Sequence, residues 1–262
     1  MTFMYKSVND GAQFDDVPLG DVSSEFGGNE NHRLDQVGRS KLDDSLASPT
    51  VPEPISQASG YEFAKRSFDI TFALVMIALT LPVMGLIILA TKMTSPGPVL
   101  FQQERVGYRG QIFRCLKFRT MVVDAAERLE HLLANDPAAR DEWHKDQKLR
   151  CDPRITPIGV FLRTSSLDEL PQLFNILLGS MSVVGPRPIV PSETHRYGDQ
   201  ILFYQSVRPG LTGLWQVSGR NETGYEERVR LDCSYAQNPT FARDLTICFR
   251  TIPAVLASRG SY

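Results

Sequence analysis

The sequence predicts a mostly helical α+β protein seated on a membrane, and three observations carry that reading. Residues 70–90 form a run of 21 residues without a charge, rich in Leu, Ile, Val and Met, with Pro82 inside it. Two strand-like segments, 99–103 and 111–118, flank Gly107-Tyr108-Arg109-Gly110 and read as a small β-hairpin. The segments beyond show helical spacing punctuated by Pro and Gly, without the alternation of strands and helices that marks a doubly wound sheet.

Taken in order, residues 1–60 are rich in Asp, Gly, Ser and Asn and hold ten acidic against four basic residues. They lack a sustained apolar period and read as a disordered acidic tail. The rest of the chain carries 24 basic and 20 acidic residues. That mild excess suits anionic headgroups and phosphorylated ligands and is too weak to propose nucleic acid.

The apolar run follows. About 20 apolar residues suffice to span a bilayer. Lys65 and Arg66 precede the run and Lys92 follows it, so both ends carry the charge that marks the cytoplasmic side. A segment that enters, bends and returns satisfies both flanks. Pro82 supplies the bend, since it lacks a donor and clashes with the carbonyl four residues earlier. An ordinary spanning helix with a tolerated proline is the alternative.

Thr94-Ser95-Pro96-Gly97-Pro98 ends the run with turn chemistry. After the hairpin, residues 124–133 read as a helix and 135–148 as an exposed helical region. Residues 152–157 read as a rigid extended connection, and 170–178 as an apolar helix. Gly185-Pro186-Arg187-Pro188 is a loop, 192–204 a helix and 209–220 a glycine-punctuated loop. The 222–238 and 241–257 stretches are helical, and the last is amphipathic, fit for the membrane interface or for packing on a core. The four cysteines form no CxxC pair and read as reduced thiols in a cytoplasmic protein.

Three groups could carry chemistry. Asp168 and Glu169 are adjacent carboxylates near a helix start. Ser166 with Glu169 fits a capping box, whereas Pro171 fits a helix that begins later and leaves the acids in the preceding loop. Either way the acids lie near helix-terminal N–H groups. The second group is basic: Lys117, Arg119, Arg154, Arg163, and Arg187 between two prolines that fix its backbone for a phosphate. Each reads otherwise as a solvated surface charge. The third is the 209–220 loop, where glycines allow close approach of a ligand, Trp215 offers a stacking face, and Gln216 and Arg220 offer donors. It is neither a Walker nor a Rossmann fingerprint. The four histidines lack ligand spacing.

In order and spacing these residues resemble the bacterial sugar transferase family, the monotopic polyprenyl-phosphate phosphoglycosyl transferases. The resemblance runs from about Tyr61 to Tyr262. It includes Lys65-Arg66, Ser95-Pro96-Gly97-Pro98, Gln103-Glu104-Arg105-Val106-Gly107, Lys117-Phe118-Arg119-Thr120-Met121, Asp152-Pro153-Arg154, Leu167-Asp168-Glu169-Leu170-Pro171-Gln172, Gly185-Pro186-Arg187-Pro188 and Gly210-Leu211-Thr212-Gly213-Leu214-Trp215-Gln216. It implies a tail over 1–60, a re-entrant membrane helix over 61–96 and a cytoplasmic catalytic domain over 97–262, with amphipathic interfacial helices, at the cytoplasmic face of a bacterial inner membrane. It implies transfer of a hexose-1-phosphate, galactose or glucose, from a UDP-sugar to undecaprenyl phosphate, with UMP released and Mg2+ required, as the first membrane step of exopolysaccharide assembly. By the same resemblance Asp168 is the nucleophile that becomes a phosphosugar-aspartyl intermediate, and Glu169 holds Mg2+. Lys117, Arg119, Arg154 and Arg187 handle phosphate, and Gln172, Gln216 and Arg220 contact ligand. A homodimer is expected with no residue assigned to it. The rival reading is a non-catalytic, membrane-spanning scaffold whose acid pair only caps a helix.

Overall fold

The computed structural model describes residues 59–146, 149–219 and 224–256. The expected tail, residues 1–58 of it, and Arg220 lie outside the described residues.

The charge-free run forms part of one helix, α1 (Ser59–Thr94), with Pro82 inside it and no turn between two shorter helices. That differs from a hairpin of separate helices. The local chemistry still favours a bend there, because Thr80 Oγ1 donates to Met76 O at 2.6 Å one turn before the proline. α1 is the one helix among the described residues that is long and apolar enough to cross a membrane.

The packing of α1 divides at the same place. Its first part is fastened by polar anchors. Lys65 Nζ donates to Val184 O at 2.9 Å and to buried Asp244 at 2.9 Å. Arg66 donates to the carbonyls of Ile176 and Leu177 at 2.6 and 2.7 Å, at the C-terminal end of the helix that follows the acid pair. Buried Asp69 accepts from Ser182 Oγ and Val183 N. Ala73 then enters the main core, and Met84, Ile87, Thr91 and Ser95 are buried further along. Between the two docked parts, residues 78, 79 and 81–83 are exposed.

After α1 come β1 (Leu100–Val106) and β2 (Ile112–Phe118), antiparallel, with Gln103 opposite Cys115 and Arg105 opposite Phe113. The hairpin is as expected, with a longer first strand. Helices α2 (Ala125–Asn135) and α3 (Pro137–Asp146) follow, and α2 buries no residue. α4 (Pro157–Thr164) begins at Thr156, whose hydroxyl accepts from Gly159 N at 3.0 Å, with Pro157 in the first turn. A 3₁₀ turn (Leu167–Glu169) precedes α5 (Gln172–Leu178) and β3 (Ser182–Val184). The segment expected as one helix over 192–204 is a 3₁₀ stretch (Pro191–Gln200) followed by α6 (Ile201–Gln205), broken where Gly198 takes φ of 50°. The glycine loop contains β4 (Gly210–Thr212), parallel to β3, and a 3₁₀ turn (Trp215–Val217). α7 (Tyr225–Gln237) and α8 (Phe241–Leu256) end the described chain.

The result is a mostly helical α+β fold with two small sheets. The main core gathers Leu173, Ile176, Met181, Val184, Tyr235 and Ile247. Each such side chain stabilises the fold by about 1.5–3 kcal/mol on full burial. α8 carries both of its expected faces: Ile247 and Asp244 are buried, while Phe249 and Ile252 are exposed.

Candidate active site

One side chain, Lys117, ties the hairpin to the acid pair. Lys117 Nζ donates to Glu169 Oε1 at 2.6 Å and lies 3.8 Å from Asp168 Oδ2. The two acids sit in the 3₁₀ turn, not in a capped helix. Ser166 makes no side-chain cap bond and takes φ of 57°, so the capping-box reading fails and the later helix start holds. A non-glycine residue in the left-handed region two positions before Asp168 is local strain held by its surroundings.

α5 follows directly and is locked to β2 through a buried amide. Asn175 Oδ1 accepts from Leu116 N at 2.9 Å, and Nδ2 donates to Arg114 O at 2.8 Å. This fixes the acid turn relative to Lys117. Burial, and next to it the Glu169 charge, push the Asp168 carboxyl above its usual range, while Lys117 and Arg163 pull the other way. Arg163 is itself oriented by a bond from Nε to Thr120 Oγ1 at 2.9 Å.

A shallow cleft opens beside this pair. Of the expected site residues, Lys117, Glu169, Gln172, Arg187 and Gln216 line it together. Arg187 arrives on the loop after β3, and Gln216 on the turn after β4. The two segments can touch because a Cβ on Gly185 or Gly210 would collide with the opposing main chain. The glycines therefore serve a backbone crossing, and Gly210 also lines the cleft. Gln216 is held by donation from Nε2 to Leu211 O at 2.9 Å. Below the Arg187 loop, Arg228 stacks over Trp215 and Tyr225 at 4.9 and 5.2 Å and faces Asp232 at 3.7 Å. Trp215 is thus engaged by an internal cation.

Two expected phosphate ligands are placed elsewhere. Buried Arg119 donates to Ser95 O and Pro96 O at 2.9 and 2.7 Å and clasps the chain as it leaves α1. Arg154 forms a two-pronged bond with Asp152, at 2.8 and 2.6 Å, and stacks over Trp143. Both act as fold supports. Two residues not singled out as ligands, Arg105 and Cys115, do line the cleft. Strand alternation places 105, 115 and 117 on one face, a signal that becomes usable once the hairpin register is known.

No group of three or more His, Cys, Asp or Glu side chains that could hold a metal occurs among the described residues. The donor set still suits a hard cation of the Mg2+ type, which takes one or two carboxylates and completes its shell with substrate phosphates and water. Glu169 and Asp168 supply such oxygens, and Glu169 already sits against the positive charge of Lys117.

The bacterial sugar transferase family model matches residues 60–258, and the chain belongs to that family. It is 51% identical over 201 residues to the undecaprenyl-phosphate galactose phosphotransferase of Salmonella typhimurium, covering 76% of this chain and 42% of that protein. It is 51% identical over 199 residues to the exopolysaccharide production protein ExoY of Rhizobium meliloti, covering 76% of this chain and 88% of that protein. It is 37% identical over 232 residues to the UDP-glucose:undecaprenyl-phosphate glucose-1-phosphate transferase of Escherichia coli, covering 85% and 47%.

Proposed function

We propose that the protein transfers hexose-1-phosphate, with galactose or glucose as the sugar, from a UDP-sugar to undecaprenyl phosphate and releases UMP. The observation that carries this reading is the contact of Lys117 with both Asp168 and Glu169, with Lys117, Glu169 and Arg187 lining one cleft and Asp168 beside it, not among the lining residues. The names of the relatives, which include a galactose and a glucose-1-phosphate transferase, support the substrate class and exopolysaccharide assembly as its setting.

In this reading Asp168 is the nucleophile. Lys117 and Arg163 favour its ionised form against the cost of burial. Arg187 neutralises the approaching diphosphate, which a carboxylate could not otherwise attack, since phosphoryl transfer rests on positioning and electrostatics. Glu169, with the substrate phosphates, would hold Mg2+, which supplies further charge neutralisation when bound. Gln172 and Gln216 orient the ligand from the cleft wall. Attack on the sugar-bearing phosphorus leaves the phosphosugar on Asp168, and the lipid phosphate then takes it. Donor and acceptor need not be bound together.

α1 gives the site its depth. Leu79 is 68% exposed and Leu86 67%, so in water this helix would leave a large apolar surface uncovered. Both parts of α1 dock on one body while the stretch around Pro82 stands clear. That supports a bent helix dipping into one leaflet of the inner membrane from the cytoplasmic face. Exposed Phe249 and Ile252 on α8 fit the same interface. A homodimer belongs to the proposal without a residue-level argument.

The test supplies purified protein with undecaprenyl phosphate, Mg2+ and either UDP-galactose or UDP-glucose, and identifies the released nucleotide. UMP release that depends on the lipid is the expected result. Release of UDP would overturn the reading in favour of ordinary glycosyl transfer.

A further inference from the structure

Arg105 is a cleft cation to which the proposed reaction gives no task. On the hairpin it pairs with Phe113, and Lys117 pairs with Phe101. Residues 113, 115 and 117 alternate to one side, so Arg105, Cys115 and Lys117 share a face. Lys117 marks the end of that face nearest Asp168 and Glu169. Arg105 stands four strand positions further on, about 13 Å along the strand at the usual rise. Two side chains reaching inward from points so spaced can meet adjacent phosphates of one diphosphate.

The partners of Arg105 are neutral. Nη1 donates to Pro188 O at 3.0 Å, and Nη2 donates to Gln103 Oε1 at 2.6 Å. The Pro188 carbonyl belongs to the loop that carries Arg187, so the two guanidiniums are tied to one segment. None of the ion pairs among the described residues includes Arg105 or Arg187. Burial and then the neighbouring Arg187 charge disfavour the charged form of Arg105, and together they outweigh the opposing pull of Cys115 and Glu193. Two cations side by side, of which Arg105 is braced by a carbonyl and an amide oxygen, are a cost that a bound anion relieves.

We propose that Arg105 and Arg187 form a clamp for the nucleotide's own phosphate, the one that departs, while the Lys117 end of the cleft receives the phosphate that bears the sugar. The inference rests on the phosphoglycosyl transfer reading. In that step an Asp168 carboxylate oxygen bonds to the sugar-bearing phosphorus. The bond from that phosphorus to the bridging oxygen breaks, and the electron pair leaves on the phosphate of UMP, where Arg105 meets it. Arg105 thereby serves the donor half of the reaction and not the lipid half.

The test uses the full chain in detergent, with Arg105→Gln, Arg105→Lys and Gln103→Ala. UMP itself is the probe for binding, measured without the second substrate, beside KM for the UDP-sugar and for undecaprenyl phosphate. Arg105→Gln should weaken UMP binding by about 10- to 100-fold, the range for a lost charge-assisted bond. KM for the UDP-sugar should rise with it, and KM for the lipid should stay within about twofold, well inside that range. Arg105→Lys, which keeps the charge without the fork, should fall between, and Gln103→Ala should loosen UMP binding with Arg105 intact. Unchanged UMP affinity in the Arg105 variants, or a parallel rise in KM for the lipid, overturns the clamp. A wild-type protein that neither binds nor releases UMP overturns the transferase reading itself. Should Arg105→Gln fail to fold, the Lys and Gln103 variants decide by the same measurements.

Discussion

Replacing Lys117 with Met removes a charge that touches both acids. Its ammonium lies 3.8 Å from Asp168 Oδ2 and 2.6 Å from Glu169 Oε1. At 3.8 Å the attraction to Asp168 is about 1 kcal/mol in bulk water and about 4 kcal/mol at an effective dielectric constant of 20. The side chains are 22% and 13% exposed, which places the pair between those limits. UMP release near pH 7.5 should therefore fall by about 10- to 100-fold. The pH profile discriminates further. Burial already raises the Asp168 carboxyl, and Lys117 opposes that rise by favouring the ionised form. Without it, the acid limb of the activity profile should move to higher pH, whereas Lys117→Arg should restore most of the profile. The assay follows UMP release from UDP-galactose or UDP-glucose with undecaprenyl phosphate across pH. An unchanged acid limb with full activity would refute the electrostatic role.

Three further outcomes are expected. Asn175→Leu removes the hydrogen bonds to Leu116 N and Arg114 O, at about 1 kcal/mol for each part-buried bond, so thermal unfolding should occur at lower temperature. Burial pushes the Asp232 carboxyl up to about 6, so the folded state binds its proton more tightly than the unfolded chain. This stabilisation is complete below about pH 4 and is lost as pH rises through about 6, a contribution of about 2–3 kcal/mol; comparing unfolding of wild type and Asp232→Asn across that range should reveal it. Pro82→Ala removes the main cause of a bend, so a reporter on the N-terminus should shift from the cytoplasm toward the periplasm; a periplasmic N-terminus in the wild type would sink the bent-helix reading.

The hairpin and the long apolar helix were legible in the sequence, because glycine turns and charge-free length act locally, whereas the sequence allows either a capping box at Ser166 or a later start at Pro171 for α5. β4 was not legible. It is three residues long, and its partner β3 lies far away in the chain, so its pairing is a tertiary event. The cations show the same limit. Arg119, Arg154 and Arg187 look alike in sequence, and only their partners separate them: Ser95 and Pro96 carbonyls for the first, Asp152 for the second, and the cleft for the third. Arg105 escaped because its kinship with Lys117 depends on strand register. Ser166 and Glu169 matched a capping box by spacing, yet the left-handed backbone of Ser166 removes that geometry.

The most direct test of the central claim is mass analysis of protein incubated with UDP-galactose, or with UDP-glucose, and Mg2+ in the absence of undecaprenyl phosphate. One phosphohexose should be added to the peptide that carries Asp168, discharged when the lipid phosphate is supplied and absent in Asp168→Asn. An adduct on another residue, or lipid-dependent UMP release that persists in Asp168→Asn, would contradict that claim.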